Sequence, residues 1–327
     1  MSCSRSFAVV ASVLLFAAVA SAASAQKTYP SRPVRFVVPF PPGGTSDFLA
    51  RIPAQKLSEK WGERIVVDNR TGGQSILGTR IVANAEPDGY TLLLATFFYV
   101  TIPSLYSLPY DPIRDFRGVA TIATTRYVLV ARSELPANSV KELIALAKAK
   151  QGNLTYCSAG VGGGAHLAGA LFNKLAGTKM LHVPYKGAPG CMLDLMGGRI
   201  DISFANPVVA NSALSAELRK NIKALAVTGE SRLPSLPQVP TFAEAGIPHY
   251  KVQGWFGIVV PSRTPQQIID KISRDVASVL QSPDVKELFA KQGMEPFVSS
   301  PSQVDALIKA DIEQYAKLIK EENIKPE

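Results

Sequence analysis

Short runs of Val, Ile and Leu alternate along the chain with longer stretches in which apolar residues recur at helical spacing. Short apolar runs are typical of buried strands, and the longer stretches are typical of amphipathic helices. The alternation therefore predicts an α/β architecture with largely parallel strands, most of them followed by a turn and a helix. The predicted strands are 34–38, 65–67, 91–95, 127–131, 154–156, 181–183, 200–204, 224–227 and 255–260.

Several predicted helices carry signals of their own. Ser139 with Glu142, and Thr241 with Glu244, have the spacing of a capping box, in which a hydroxyl and a carboxylate bind free backbone N–H groups at a helix start. Pro53 lies inside the helix predicted after the first strand, and we expect it to bend or interrupt that helix.

The last segment of the chain places six apolar residues on one helical face, so we expect this helix to dock on the body of the protein. These residues are Val304, Leu307, Ile308, Ile312, Tyr315 and Ile319.

Length and composition bound the domain organisation. The 327 residues are 46% apolar and 19% charged, which is typical of a folded globular chain of about two domains. No low-complexity linker separates two halves, so we expect the chain to cross between domains more than once. The net charge of +9 favours anionic partners, but the basic residues are scattered and predict no nucleic-acid surface.

The first 25 residues have the pattern of a secretory signal peptide. Arg5 supplies positive charge, residues 7–20 are almost wholly apolar, and Ala23-Ser24-Ala25 has the small-x-small form of a cleavage site. We therefore expect a mature protein that is soluble and exported. Cys157 and Cys191 remain after cleavage; two separate buried thiols are the simpler expectation, and a disulfide is the alternative that an oxidising compartment permits.

Three glycine-rich loops follow predicted strands and open predicted helices: residues 39–47, 71–78 and 158–165. Backbone N–H groups at a helix start favour an anion, and the carboxyl ends of strands in an open α/β sheet are where ligands bind. A carboxylate would suit such loops. Ordinary strand-to-helix turns are the alternative for any one of them.

Patterns for other chemistry are weak. The three histidines, His166, His182 and His249, lack metal-ligand spacing, so no metal site is predicted. No GxSxG elbow marks a nucleophilic serine, and the Gly-x-Gly-x-x-Ala run at 160–165 is followed by no acidic residue suited to a ribose. We expect no catalytic residues and no cofactor.

The chain resembles the solute-binding proteins of tripartite tricarboxylate transporters, also called Bordetella uptake gene receptors. The resemblance extends in order over essentially the whole mature chain. The motifs that carry it include Tyr29-Pro30-Ser31-Arg32-Pro33, Pro42-Gly43-Gly44, Pro87-Asp88-Gly89-Tyr90, Tyr110-Asp111-Pro112, His182-Val183-Pro184-Tyr185-Lys186-Gly187, Pro240-Thr241 and Trp255.

This resemblance implies a type II, flytrap-like periplasmic binding protein fold, with a ligand cleft between two domains. It implies a first domain at 26–126 and 249–327, a second at 127–248, a small organic carboxylate as ligand, the permease subunits of a tripartite transporter as partners, and a monomer. The ligand-binding residues that the loops and the resemblance together predict are Phe40, Pro42, Gly43, Gly44, Thr45, Ser46, Asp47, Gly73, Gln74, Ser75, Thr96, Phe97, Ser158, Ala159, Gly160, Gly162, His166, Tyr185 and Asn206.

The sequence departs from the family pattern at three places near the predicted site. Ile76 stands where many members have Asn, and Asn206 stands where Asp is common, which removes a negative charge and favours binding of a second carboxylate. Phe97-Phe98-Tyr99 replaces a mostly small, polar stretch, so we expect a ligand with a substantial apolar or aromatic body. An exported hydrolase or lyase acting on carboxylates, and a ligand-presenting partner of a sensor kinase, are the alternative functions.

Overall fold

The computed structural model describes residues 29–150, 152–215, 220–250 and 252–326. The predicted signal peptide, residues 1–25, lies outside these ranges. Pro33–Glu327 form one compact unit, which contains the two sheets that the described residues form. Within the described ranges, no helix is both long enough and apolar enough to cross a membrane.

The strands form two sheets. In chain order they are β1 (Val34–Val38), β2 (Ile65–Asn69), β3 (Thr91–Ala95), β4 (Phe116–Thr125), β5 (Val128–Arg132), β6 (Thr155–Ser158), β7 (Leu181–Pro184), β8 (Ile202–Ala205), β9 (Ile222–Val227), β10 (Gly254–Pro261) and β11 (Glu295–Pro296). The first sheet has the order β11-β4-β10-β3-β1-β2, and the second has the order β7-β6-β8-β5-β9.

Helices connect and cover the strands. They are α1 (Thr45–Trp61), α2 (Ile76–Ala83), α3 (Phe97–Thr101), α4 (Val140–Ala149), α5 (Gly164–Ala176), α6 (Ala188–Met196), α7 (Pro207–Ala213), α8 (Gln266–Leu280), α9 (Pro283–Lys291) and α10 (Pro301–Glu321). We call the first sheet with α1–α3 and α8–α10 lobe 1, and the second sheet with α4–α7 lobe 2. The residue boundaries of the two domains stay a prediction.

The strand directions are mixed, which corrects the expectation of largely parallel sheets. β1 is parallel to β2 and β3, and β6 is parallel to β7 and β8. β10 is antiparallel to β3 and β4, and β5 is antiparallel to β8 and β9. The chain passes between the sheets at β4–β5 and β9–β10, so the antiparallel pairs lie at these crossings and the parallel βα units fill the rest.

Two strands, β4 and β11, were not predicted from the sequence. In β4 a glycine and several threonines interrupt the apolar run, yet most of the strand is buried. Gly118 explains part of this pattern, because a Cβ there would lie 2.6 Å from the Cβ of Val304 in α10. The close approach of α10, which no local pattern indicates, is what makes small residues suitable for this strand.

Helix α10 docks on lobe 1 as its apolar face predicted. Val304, Ile308 and Ile319 are buried. The indole Nε1 of Trp255 in β10 donates a hydrogen bond to Asp311 Oδ2 over 2.7 Å, which fixes α10 to the sheet at a second point.

Helix α1 continues through Pro53, so of the two expected effects, a bend or an interruption, the interruption was wrong. A proline inside a helix costs about 3 kcal/mol through a lost hydrogen bond and a steric clash. Leu49, Ala54 and Leu57 are buried on the same helix, and each fully buried leucine stabilises the packing by about 1.5–3 kcal/mol. Burial on either side of the proline therefore offsets its local cost.

Both predicted capping pairs form, but only one of them begins a helix. Ser139 caps α4 by accepting a hydrogen bond from the Glu142 N–H over 3.2 Å. Thr241 and Glu244 bind each other's backbone N–H groups at 2.7 and 3.1 Å, yet the residues that follow form turns rather than the predicted helix.

Cys157 and Cys191 form a disulfide, which corrects the expectation of two separate thiols. Cys157 lies in β6 and Cys191 in α6, and both are buried in the core of lobe 2. The sequence could not decide between the two states because the 34-residue separation does not reveal that α6 packs on β6.

Candidate functional site

A cavity lies between the two lobes, at the carboxyl ends of several strands. Lobe 1 contributes the segments after β1 and β3 and part of β10. Lobe 2 contributes the segments after β6, β7 and β8. The residues that line the cavity are Phe40, Pro41, Gly44, Thr45, Ser46, Thr96, Phe97, Phe98, Thr125, Tyr127, Ala159, Gly163, Gly164, Ala165, Gly187, Ala188, Pro189, Asn206, Trp255 and Phe256.

The loop before α1 is held in place by Asp47, which lies in the first turn of that helix. Asp47 Oδ2 accepts hydrogen bonds from the Gly43 N–H at 3.1 Å and from Arg51 Nε at 2.9 Å. Asn69 Nδ2 donates to Asp47 Oδ1 at 3.1 Å and to the carbonyl of Phe40 at 2.9 Å. Burial alone would raise the pKa of Asp47, but the hydrogen bonds from Arg51, Gly43 and Asn69 outweigh it and lower this pKa. The carboxylate therefore shapes the loop from outside the cavity.

Two buried hydroxyls that line the cavity have no hydrogen-bond partner: Thr45 Oγ1 and Thr96 Oγ1. Thr45 is the first residue of α1 and is 5% exposed; Thr96 precedes α3 and is 4% exposed. An unsatisfied buried polar group costs about 1–3 kcal/mol, so two of them in one cavity indicate a place for a polar ligand group.

The start of α5 forms the opposite side of the cavity. A Cβ on Gly163 would lie 2.4 Å from Phe98 Cζ, and a Cβ on Gly164 would lie 1.7 Å from the hydroxyl oxygen of Tyr127. Glycine is needed at both positions because aromatic rings come this close. The first N–H groups of a helix have no intrahelical partner, so α5 presents backbone donors at this wall.

A third polar group lies where the chain crosses between the lobes. Asn206 Nδ2 donates to Thr125 Oγ1 over 2.7 Å. Burial raises the pKa of the neighbouring Tyr127, and Asn206 offsets only part of this rise, so the phenol stays neutral. Asn206 and Thr125 thus have a partner in each other, unlike Thr45 and Thr96.

Aromatic rings form most of the lobe 1 wall. The rings of Phe40 and Phe98 are 5.1 Å apart, and Phe97 lies beside them. Trp255 and Phe256 of β10 complete the wall, with the indole N–H of Trp255 already bound to Asp311. None of the described residues that line the cavity carries a charge.

Eight of the predicted site residues line this cavity. They are Phe40, Gly44, Thr45, Ser46, Thr96, Phe97, Ala159 and Asn206. Pro42 does not line it, and Gly43 and Asp47 lie on an outer groove next to it. Gly73, Gln74 and Ser75 do not line it either; a Cβ on Gly160 would lie 3.1 Å from Gln74 Cγ, so this loop meets lobe 2 beside the cavity.

The remaining predicted residues support the walls rather than line them. Ser158 Oγ lies 2.7 Å from His182 Nε2, and the Gly162 N–H donates to His166 Nδ1 over 3.1 Å. The Tyr185 hydroxyl donates to Asp194 Oδ2 over 2.5 Å. The first two contacts hold the loop between β6 and α5 that places Gly163 and Gly164 at the cavity.

Sequence reasoning missed cavity residues that come from strands instead of glycine loops. Thr125 and Tyr127 flank the crossing between the sheets, and Trp255 and Phe256 lie on the strand that returns to lobe 1. Phe98 also lines the cavity, whereas the sequence predicts only its neighbour Phe97 as a site residue. Recognising the crossing points as the cleft floor would have identified Thr125 and Tyr127.

Comparisons with known proteins agree with this architecture. Residues 49–324 match the tripartite tricarboxylate transporter family receptor. Protein BugT of Bordetella pertussis is 35% identical over 329 residues, which cover 99% of each chain.

Two solved structures from Rhodopseudomonas palustris are similar along their whole length. One, with adipate, has a TM-score of 0.88 and 35% identity and covers 91% of this chain and 100% of that chain. The other, MatC with bound malate, has a TM-score of 0.81 and 29% identity and covers 89% of this chain and 100% of that chain. The two-domain, flytrap-like α/β fold is therefore confirmed, and the chain belongs to the receptor family of the tripartite tricarboxylate transporters.

Proposed function

We propose that this protein is a periplasmic receptor that captures a small organic carboxylate in the cavity between its lobes and delivers it to the membrane subunits of a tripartite transporter. The single observation that carries the proposal is the pair of unpartnered hydroxyls, Thr45 Oγ1 and Thr96 Oγ1, in a mostly apolar cavity between the lobes. A carboxylate has two acceptor oxygens, and each hydroxyl can donate to one of them.

The electrostatics of the cavity favour an anion. Helix α1 has 17 residues and α5 has 13, and the N-terminus of each faces the cavity with Thr45 or Gly164 on its lining. Each helix start stabilises a nearby anion by about 0.3–1 kcal/mol, and by more where water is excluded. No Asp or Glu is present among the described lining residues to oppose an incoming carboxylate.

The relatives support the same ligand chemistry. The R. palustris structures contain adipate and malate, both of which are carboxylates. Delivery to a transporter is supported by the family to which the chain belongs. Export to the periplasm is supported by the signal-peptide pattern of the first 25 residues.

Contacts across the cavity supply a way for the ligand to stabilise the closed form. A Cβ on Gly187 of lobe 2 would lie 2.6 Å from Pro41 Cγ of lobe 1, and a Cβ on Gly163 would lie 2.4 Å from Phe98 Cζ. A ligand that touches both walls binds the closed arrangement better than an open one, and only this difference in affinity shifts the equilibrium.

Isothermal titration calorimetry of the mature protein against mono-, di- and tricarboxylates tests the proposal. The variant Thr96→Val removes the hydroxyl but keeps the shape of the side chain. A hydrogen bond to a charged group contributes about 1.5–3 kcal/mol, so the Kd of the bound acid should rise by about 10-fold or more.

Thr101→Val is the matched control, because Thr101 is a fully buried threonine of α3 that does not line the cavity. This variant should keep the wild-type Kd. Failure of every acid to bind protein that has been refolded to remove copurified ligand would overturn the proposal. So would an unchanged Kd in Thr96→Val.

A further inference from the structure

Among the described residues, the cavity lining has two unpartnered hydroxyls and no charged group to balance a second anionic group. Thr45 and Thr96 lack partners, whereas Asn206 Nδ2 already donates to Thr125 Oγ1. A second carboxylate near Asn206 would have to share this amide with Thr125. The strongest demand for a ligand acceptor is therefore at the α1 end of the cavity.

The cations nearest in sequence to the cavity segments are engaged elsewhere or lie off its lining. Arg51 binds Asp47 and Asn69 on the outer groove. Arg126 pairs with Glu295 and with the carbonyl of Ser231. Lys186 is exposed and does not line the cavity. A carboxylate taken out of water without a cation or new hydrogen bonds is strongly disfavoured.

The two walls of the cavity differ in a way that suits a flat molecule. Lobe 1 contributes five aromatic rings. These belong to Phe40, Phe97, Phe98, Trp255 and Phe256. The facing part of lobe 2 is made largely of small residues. Gly163 and Gly187 pack directly against Phe98 and Pro41, so the space for a ligand lies beside these contacts. It is lined on the lobe 2 side by Ala159, Gly164, Ala165 and Ala188. A planar ring can lie between an aromatic wall and a wall of small side chains with contacts on both faces, and ring–ring contacts add to its affinity.

We propose that the ligand is an aromatic monocarboxylate, with its carboxylate at Thr45 and Thr96 and its ring between the aromatic wall of lobe 1 and the small-residue wall of lobe 2. This inference rests on the proposed function and narrows its substrate class.

Calorimetric titrations with four acids test separately whether the ligand has a single carboxylate and whether it has an aromatic ring. Benzoate has one carboxylate and an aromatic ring. Terephthalate adds a second carboxylate to the same ring, cyclohexanecarboxylate replaces the flat ring by a puckered one, and adipate has two carboxylates and no ring. Benzoate should bind about 10-fold or more tightly than terephthalate and adipate, and about 3- to 10-fold more tightly than cyclohexanecarboxylate.

A variant tests the aromatic wall directly. Phe97→Leu should reduce the preference for benzoate over cyclohexanecarboxylate to less than about 3-fold while both acids still bind. Phe289→Leu is the matched control, because Phe289 is fully buried in lobe 1 and does not line the cavity. It should leave the preference unchanged.

Each result has one meaning. Binding of terephthalate or adipate as tightly as benzoate would overturn the single-carboxylate inference but leave the carboxylate receptor standing. Equal binding of cyclohexanecarboxylate, or an unchanged preference in Phe97→Leu, would overturn the aromatic part. If none of the four acids and no other carboxylate binds, the proposed function fails and the narrower inference fails with it.

Discussion

The hydroxyl of Tyr127 occupies the space that a side chain at Gly164 would need, since a Cβ there would lie 1.7 Å from the phenolic oxygen. Tyr127 follows the crossing from lobe 1, and Gly164 begins α5 of lobe 2. Because Gly164 has no Cβ, the first turn of α5 and the phenol of Tyr127 can lie in contact on the cavity wall. The position of the backbone donors of α5 depends on this contact.

Gly164→Ala is therefore expected to weaken ligand binding. Alanine stabilises a helix relative to glycine by about 1 kcal/mol, so the same substitution at an exposed helix position would stabilise a protein. Here the clash with buried Tyr127 should instead reduce the free energy of unfolding by about 1–3 kcal/mol and raise the Kd by about 10-fold or more. Urea unfolding and calorimetry measure the two effects.

The double variant Gly164→Ala with Tyr127→Ala tests whether the clash with Tyr127 causes the loss of stability. If the clash is responsible, the loss of stability in the double variant is smaller than the sum of the two single losses. Additive losses, or a Gly164→Ala protein that is as stable as the wild type, would contradict the assigned contact.

The disulfide between Cys157 and Cys191 should stabilise the protein without taking part in binding. It closes a loop over a sequence separation of 34, and neither cysteine lines the cavity. Replacing both by alanine should lower the free energy of unfolding by about 2–4 kcal/mol, as measured in urea, and leave the Kd near its wild-type value.

Reducing agent provides the matching comparison for the disulfide. Wild-type protein under strong reduction should lose a similar free energy, whereas the double alanine variant should not respond. A wild-type protein whose unfolding is the same with and without reductant would show that the bond contributes nothing to stability.

The sequence predicted the parts of the fold that depend on local pattern. The bounds of β1 and β3 agree with the predicted runs at 34–38 and 91–95, and the apolar face of α10 is buried as expected. Strand β4 escaped prediction because its small residues suit the close approach of Val304, which lies 186 positions after Gly118 in the numbering of the chain.

The sequence placed cavity residues correctly only in segments that directly follow strands, here those after β1, β3, β6 and β8. Thr45, on the loop after β1, lines the cavity as expected, but Tyr185 follows β7 and turns its hydroxyl to Asp194 instead. Trp255 and Tyr127 are 128 positions apart in the chain, and their meeting at one cavity depends on how the two lobes are joined. The local sequence around each residue does not indicate how the two lobes are arranged.

A stacked histidine pair in lobe 2 predicts that stability falls in mild acid. The rings of His166 and His182 are 3.8 Å apart and nearly parallel, at 6°. Burial lowers the pKa of His166 to about 4, and burial together with the neighbouring His166 lowers the pKa of His182 to about 3. Between about pH 4.5 and 6 the unfolded chain, with histidine pKa values near 6.5, binds more protons than the folded protein.

Protonation therefore favours unfolding as the pH falls through this range. Each histidine should remove up to about 1.4 kcal/mol of unfolding free energy per pH unit. His166→Gln should reduce the slope of unfolding free energy against pH, measured in urea at pH 6, 5.5, 5 and 4.5. The exposed His249, changed to Gln, is the matched control and should keep the wild-type slope. Equal slopes for all three proteins would contradict a neutral buried pair.

The packing of α10 on β4 gives a prediction that a double-mutant cycle can test. A Cβ on Gly118 would lie 2.6 Å from the Cβ of Val304, and the Gly118 N–H donates to Asp305 Oδ1 over 2.6 Å. Gly118→Ala should push the helix from the sheet and lower the free energy of unfolding by about 1–3 kcal/mol. Val304→Ala alone should also destabilise, because it removes buried methyl groups.

The methyl groups removed by Val304→Ala lie beyond its Cβ, so the second variant relieves only part of the overlap at Gly118. The double variant should therefore lose less stability than the two single variants together, with a coupling of about 0.5–3 kcal/mol. Because Gly118 and Val304 lie away from the cavity lining, the Kd for a bound carboxylate should change much less than the unfolding free energy. A coupling of zero would mean that the helix and strand are not held at the distance seen here.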